Sequence, residues 1–361
     1  MGENLNGSNG NPIFHDFKHA YLDNAPLTSI NSATSIGGSP WGKSALASFF
    51  GRLNYDYANR YMATVVLRAD GSSVFARGHR WGYFPSVSAG WVMSEEPFMD
   101  SARGVMDFLK IRASWGQNGN QAIDPFQYLS TIANKGNYSF GSDKNIVTLG
   151  SYPDILPNKD LSWETSEQID LGIDARFLNS RLGFTFDYYV KTTKDWLVRA
   201  PQLASYGTGA PFINGGDVEN KGVEVALTWN DNISEFNYGA NINFSYNKNK
   251  VTKLANAEGI IHGSSDALFQ GSTECYRAQV GYPIGYFYGY SSAGVFQSQE
   301  EVDNYKGAKL PGAREGDVIW VDRDNNGVID KNDQGMIGDP HPDCRLGVGL
   351  TASYKGLDLS L

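Results

Sequence analysis

The chain has 361 residues, with 30 Lys+Arg against 39 Asp+Glu and a formal charge of −9; that balance argues against nucleic acid or an anionic surface as the main partner. Only 19% of residues are charged and 41 are glycine, which points to β structure with many tight turns. No run of about 18 apolar residues exists, so transmembrane helices are excluded, whereas strands that cross a membrane are not.

Residues 1–43 are rich in Asn, Gly and Ser without a period, and are expected to be loop or partial strand. The opening Met1-Gly2-Glu3-Asn4-Leu5 has no basic stretch followed by an apolar one, so no signal peptide is expected. Gly37-Gly38-Ser39-Pro40-Trp41-Gly42-Lys43-Ser44 matches a phosphate-binding loop by letter. That loop needs a buried strand before it and a helix after it. Here Leu27 to Ile36 is polar and aperiodic, and an alternating stretch follows, so the match is chance.

From 44 to 361 the signal is period-two alternation. In Gln168 to Phe177, Ile169, Leu171, Ile173, Ala175 and Phe177 point one way, while Gln168, Asp170, Gly172, Asp174 and Arg176 point the other. Leu182 to Val190 repeats this after the tight turn Leu178-Asn179-Ser180, and Phe236 to Asn247 alternates aromatic and aliphatic residues against Asn, Gly and Ser. Weaker copies run at 47–57, 60–69, 82–93, 108–116, 221–229, 345–354 and 357–361. Short and long links alternate between these strands, which in an up-and-down sheet puts every long loop at one edge, the layout of an outer-membrane barrel. Aromatics near strand ends (Tyr55, Tyr57, Tyr61, Trp81, Tyr83, Trp91, Trp115, Trp229, Tyr246) suit an interfacial girdle. The competing architecture is a soluble β-sandwich, whose strands alternate in the same way.

Chemistry-bearing residues are sparse. His15, His19, His79, His262 and His341 scatter through predicted loops, Cys275 and Cys344 match no zinc or disulfide pattern, and Glu95-Glu96 in a turn face different directions. No catalytic constellation emerges, and no enzymatic activity is expected. One string is specific. From Asp322 to Asp333, oxygen-bearing side chains fall at positions 1, 3, 5, 9 and 12 with Gly327 at position 6, the spacing of an EF-hand-type calcium loop. Asp322, Asp324 and Asn326 would offer side-chain oxygens, Val328 its carbonyl, Asp330 a direct or water-mediated contact, and Asp333 the closing carboxylate. The alternative is a solvated turn at Asn326-Gly327.

Several separated strings carry a family resemblance: Phe50-Gly51-Arg52-Leu53-Asn54-Tyr55, Val66-Leu67-Arg68-Ala69-Asp70-Gly71-Ser72-Ser73-Val74-Phe75, Arg80-Trp81-Gly82-Tyr83-Phe84-Pro85-Ser86-Val87-Ser88-Ala89-Gly90-Trp91, Leu109-Lys110-Ile111-Arg112-Ala113-Ser114-Trp115-Gly116-Gln117-Asn118-Gly119-Asn120, Trp163-Glu164-Thr165, Asn220-Lys221-Gly222-Val223-Glu224 and Val280-Gly281-Tyr282-Pro283-Ile284-Gly285-Tyr286-Phe287-Tyr288-Gly289-Tyr290. In these the chain resembles the SusC/RagA-type TonB-linked outer-membrane transporters of Bacteroidetes. The resemblance implies an antiparallel up-and-down transmembrane barrel containing a plug, located in the outer membrane. It also implies import of oligosaccharides or peptides, a SusD-like surface lipoprotein at the outer mouth, and energy through TonB. About ten strands are expected in 44–361, roughly half such a barrel, and no plug or TonB box is recognised. The sequence is therefore expected to be a segment truncated at both ends, in contact with outer-membrane lipid. The alternative function is a soluble or surface β-rich carbohydrate-binding module using the same aromatics.

Overall fold

The computed structural model describes Glu3–Asn6, Pro12–His15 and residues 44–361 apart from 103, 131, 134–137, 140–146, 149–151, 200–204 and 206. Most of residues 1–43, including the loop-like string from Gly37 to Lys43, therefore lies outside the described residues. Glu3–Asn6 pairs antiparallel with Pro12–His15.

Ten strands form one antiparallel meander: β1 Leu46–Tyr57, β2 Tyr61–Ser72, β3 Trp81–Val92, β4 Met106–Asn120, β5 Glu164–Phe177, β6 Leu182–Lys194, β7 Gly216–Ile233, β8 Phe236–Leu254, β9 Cys344–Tyr354 and β10 Leu357–Ser360. Every neighbour in space is a neighbour in sequence. The sheet is open among the described residues, with β1 and β10 at its two ends.

The register aligns the alternation across strands. Tyr57, Tyr61, Trp91, Ile111, Ile173, Phe186, Val225, Phe244 and Leu346 are successive cross-strand partners, an unbroken apolar row from β1 to β9. One residue over, the row reads Met62, Gly90, Arg112, Gly172, Asp187, Glu224, Ser245 and Arg345. A slip of one residue would exchange the two faces, so the pattern and the register specify each other. The apolar face is bare: Leu171 is 51% exposed and Leu346 68%. A sandwich would cover that face with a second sheet, and none of the described residues does so; lipid is the solvent that fits it.

The turns follow local chemistry. Lys355 and Gly356 both have positive φ (49° and 87°), the type I′ geometry whose twist suits a two-residue hairpin. Leu178, Asn179 and Ser180 all adopt left-handed backbone, as the predicted tight turn requires. Short links lie at one edge and the links 73–80, 121–163, 195–215 and 255–343 at the other. The expected strict length alternation fails at one place. The 93–105 link, on the short-link edge, is longer than 73–80 opposite it, because it carries two 3₁₀ turns, Met93–Glu95 and Pro97–Ala102. Glu96, between them, is buried and accepts hydrogen bonds from Tyr61 Oη and Trp91 Nε1, so it fastens this link to the aromatic girdle. Its neighbour Glu95 is exposed, and the two carboxylates do diverge.

Buried packing sits at the long-link edge instead of beneath the sheet. Val74, Phe75, Phe84, Leu161 and Trp163 form one cluster, with the Trp163 Nε1–H donating to the Arg80 carbonyl at 2.8 Å. A second cluster joins Val218, Val251 and Leu254 of β7 and β8 to Ala278 of the 255–343 excursion. Within that excursion Ile260–His262, Tyr276–Gln279, Tyr286–Tyr290 and Gln334–Gly338 make a four-stranded sheet. A short helix, α1 Gln299–Asn304, is capped by Ser298, whose Oγ accepts from the Glu301 N–H.

Candidate functional site

The polar face of the sheet is a charged wall whose centre is Arg112 on β4. Its Nε lies 2.8 Å from Asp174 Oδ2 on β5, and its Nη2 lies 2.8 Å from Asp187 Oδ1 on β6. Strands two apart are about 10 Å from each other, double the usual spacing, so this second pair must cross the strand between. It crosses at Gly172, the register partner of both Arg112 and Asp187. A Cβ on Gly172 would stand 2.7 Å from Arg112 Cζ. The same device recurs one strand along, where the Tyr189 hydroxyl reaches over Gly222 to Asn247 Oδ1 at 3.1 Å. Side chains thus lie flat on the wall, joining alternate strands. Around them Arg112, Gln168, Asp170, Asp187, Tyr189, Lys191 and Glu224 line an open depression of about 470 Å³. Such a surface is polar and charged in both signs.

Above the wall, the 255–343 excursion carries two charged clusters. His262 Nδ1 lies 3.0 Å from Glu274 and Nε2 lies 3.2 Å from Glu258, while Arg277 pairs with Glu274 and stacks over the Tyr288 ring. The bond to Glu274 and the nearby Glu258 raise the His262 pKa against a smaller effect of burial.

The second cluster is the loop from Asp322 to Asp333. Gly327 turns at φ 83°, as its position-6 role requires. Asp322, Asp324 and Asp333 each bring an oxygen to within 4.8 Å of the others. Asn326 Oδ1 is held by the Val328 N–H at 2.7 Å, and Asp330 Oδ1 by the Asn332 N–H at 2.7 Å. Three of the six predicted ligands are therefore gathered, and those three carboxylates, like Asn326 and Asp330, also accept local hydrogen bonds. Asp333 is fully buried and accepts from the Asp330 and Arg323 N–H groups, which hold its carboxyl below the ordinary range. A carboxylate kept ionised beside two others is an arrangement that a hard cation would neutralise. Cys275 and Cys344 are free thiols.

Comparison with known proteins places this architecture. The family described as TonB dependent receptor-like, beta-barrel matches residues 3–331. The chain belongs to that family. TonB-dependent receptor P26 of Formosa agariphila is 35% identical over 339 residues, covering 92% of this chain and 33% of the relative. TonB-dependent receptor SusC of Bacteroides thetaiotaomicron is 31% identical over 325 residues, covering 88% and 31%. Among solved structures, the RagAB peptide transporter superposes with a TM-score of 0.69 at 25% identity, covering 88% of this chain and 32% of that one. The chain therefore spans about a third of the length of the relatives it matches. It is a SusC/RagA-like segment of TonB-dependent receptor barrel, and its place is the bacterial outer membrane.

The Arg112 network was not singled out from the sequence. A signal was present, since Arg112, Asp174 and Asp187 all fall on the polar side of predicted strands, but their meeting depends on a register that only the paired strands supply.

Proposed function

We propose that this barrel segment forms part of the wall of an outer-membrane importer of oligosaccharides or peptides, driven through TonB and closed outside by a SusD-like surface lipoprotein. One observation carries the reading: a continuous sheet with one face apolar from strand to strand and the other lined by ionised and amide groups, suited to lipid on one side and a wet passage on the other. The SusC relative and the RagAB peptide transporter support it. No enzymatic step is assigned, because no acid–base pair or nucleophile is assembled on the wall. Deleting the full-length gene in its native host tests the reading. Growth on oligosaccharides or on peptides as sole carbon source should be lost, and restored by the gene in trans; undiminished growth on both would refute import. A freestanding carbohydrate-binding module is disfavoured by the bare apolar face.

Calcium in the Asp322–Asp333 loop is a second part of the proposal. Asp322, Asp324 and Asp333 would provide carboxylate oxygens and Val328 its carbonyl, stiffening an outer excursion near the partner lipoprotein. Asp in place of Glu at position 12 reaches less easily in bidentate fashion, so weak affinity in the range of extracellular sites, about 10⁻⁴–10⁻³ M, is expected. Calorimetric titration of the full-length receptor should show calcium heats that Asp322→Ala/Asp324→Ala abolishes; equal heats from both proteins, or none at millimolar calcium, would refute it.

A further inference from the structure

The apolar face does not simply end where the bilayer would. On β7 the outward residues Val225 and Val223 continue to Lys221 and Glu219, and on β8 Phe244 and Tyr246 continue to Lys248 and Lys250. In the register, Lys221 stands directly opposite Lys248, and Glu219 opposite Lys250. Like charges facing each other across adjacent strands repel. Glu219 is 2.9 Å from Lys221, and Lys194 on β6 is matched by Glu167. The ammonium groups of Lys248 and Lys250 have no ion-pair partner among the described residues. The excursion does not reach them, because it docks on the alternate residues: the Ile284 N–H donates to Asn249 Oδ1, and Val251 packs with Ala278. Three lysines against one glutamate are thus left exposed on the outward side.

The opposite edge is different. There Arg60, Arg181 and Lys355 each have a carboxylate partner, in Glu96, Asp231 and Glu235. Among the described residues, the unneutralised cations of this surface therefore lie at the long-link edge. Lys221 lies two residues before Val223, about 7 Å along the strand, just past the Tyr188–Val223–Tyr246 row. On the membrane-spanning reading of the sheet, that height is where headgroups would meet β7 and β8.

We propose that Lys221, Lys248 and Lys250 form a site for the phosphate of an outer-leaflet lipid, which supplies the anion that Lys248 and Lys250 lack. The ammonium point charge suits a phosphate approached from several directions, and the site would fix a lipid against β7 and β8. This inference rests on the membrane-spanning reading of the sheet and is independent of what is imported.

The experiment uses the full-length receptor in phosphatidylcholine nanodiscs doped with lipid A or with the same lipid A stripped of phosphate, and counts retained lipid by native mass spectrometry. Wild type should retain the phosphorylated form at least tenfold over the stripped form. Lys248→Gln/Lys250→Gln should weaken retention by about fivefold for each lysine removed. Lys248→Arg/Lys250→Arg should keep it, and millimolar inorganic phosphate should not displace it. Heat-modifiable migration on gels, unchanged in both variants, verifies that the barrel is inserted. Equal retention of the two lipids, unaltered retention in the glutamine variant, or displacement by inorganic phosphate would overturn the proposal.

Discussion

Gly172→Ala isolates the geometry of the wall, because the new methyl occupies the space through which Arg112 reaches Asp187. The atoms it meets are the guanidinium and carboxylate ends of flexible side chains, so the backbone need not move; what is lost is the bridge. Arg112 keeps its second partner, Asp174, at 2.8 Å. A hydrogen bond to a charged group contributes about 1.5–3 kcal/mol when well shielded. The Arg112 side chain is 33% exposed and Asp187 17%, so solvent screening brings the expected loss to about 1 kcal/mol. The assay is urea-dependent unfolding of the full-length receptor in detergent, read by heat-modifiable gel migration. Asp187→Asn should cost a similar amount. If the glycine acts through this bridge, the double variant should be no worse than either single one, a coupling of about 1 kcal/mol. Additive losses would mean that Gly172 matters for its backbone alone, and the crossing-over-glycine explanation would be wrong.

Ile173→Arg, on the lipid face, should lower stability by about 2–4 kcal/mol if the site lies near the midplane, measured by the same unfolding. Asp174→Arg, by contrast, should leave insertion intact yet cost measurable stability, since it replaces one of the two carboxylates of Arg112 with a like charge; a neutral Asp174→Arg would count against the network. The His262 pKa is raised in the folded state by Glu274 and Glu258. Its stabilisation of the excursion is therefore complete below the unfolded value of about 6.5 and lost as pH rises through the higher folded value. Protease cleavage within 255–343 should accelerate over that window, and His262→Asn should flatten the dependence.

How far the sequence discloses this protein depends on the range of the interactions involved. The nine long strands are legible because apolar and polar residues alternate over about a dozen positions, and both solvents, lipid and water, enforce the alternation. The calcium-type loop was legible because its oxygens lie within one short string. The Arg112–Asp187 contact joins residues 75 apart, and nothing local marks Gly172 as the place where it crosses. Strands such as Ile260–His262 and Tyr276–Gln279 are too short to show a period, so the excursion's small sheet was hidden in what read as loop. The end of β8 is the most instructive case. Its alternation is apolar only as far as Tyr246, which is why the expected strand stopped at Asn247, whereas the strand runs to Leu254. Backbone hydrogen bonding with β7 continues past the point where the outward side chains change from aromatic to lysine. The hydrophobic pattern marks the thickness of the lipid phase, and the ladder marks the length of the strand. Where the two disagree, the ladder outruns the apolar outward pattern, and it is there that Lys248 and Lys250 stand.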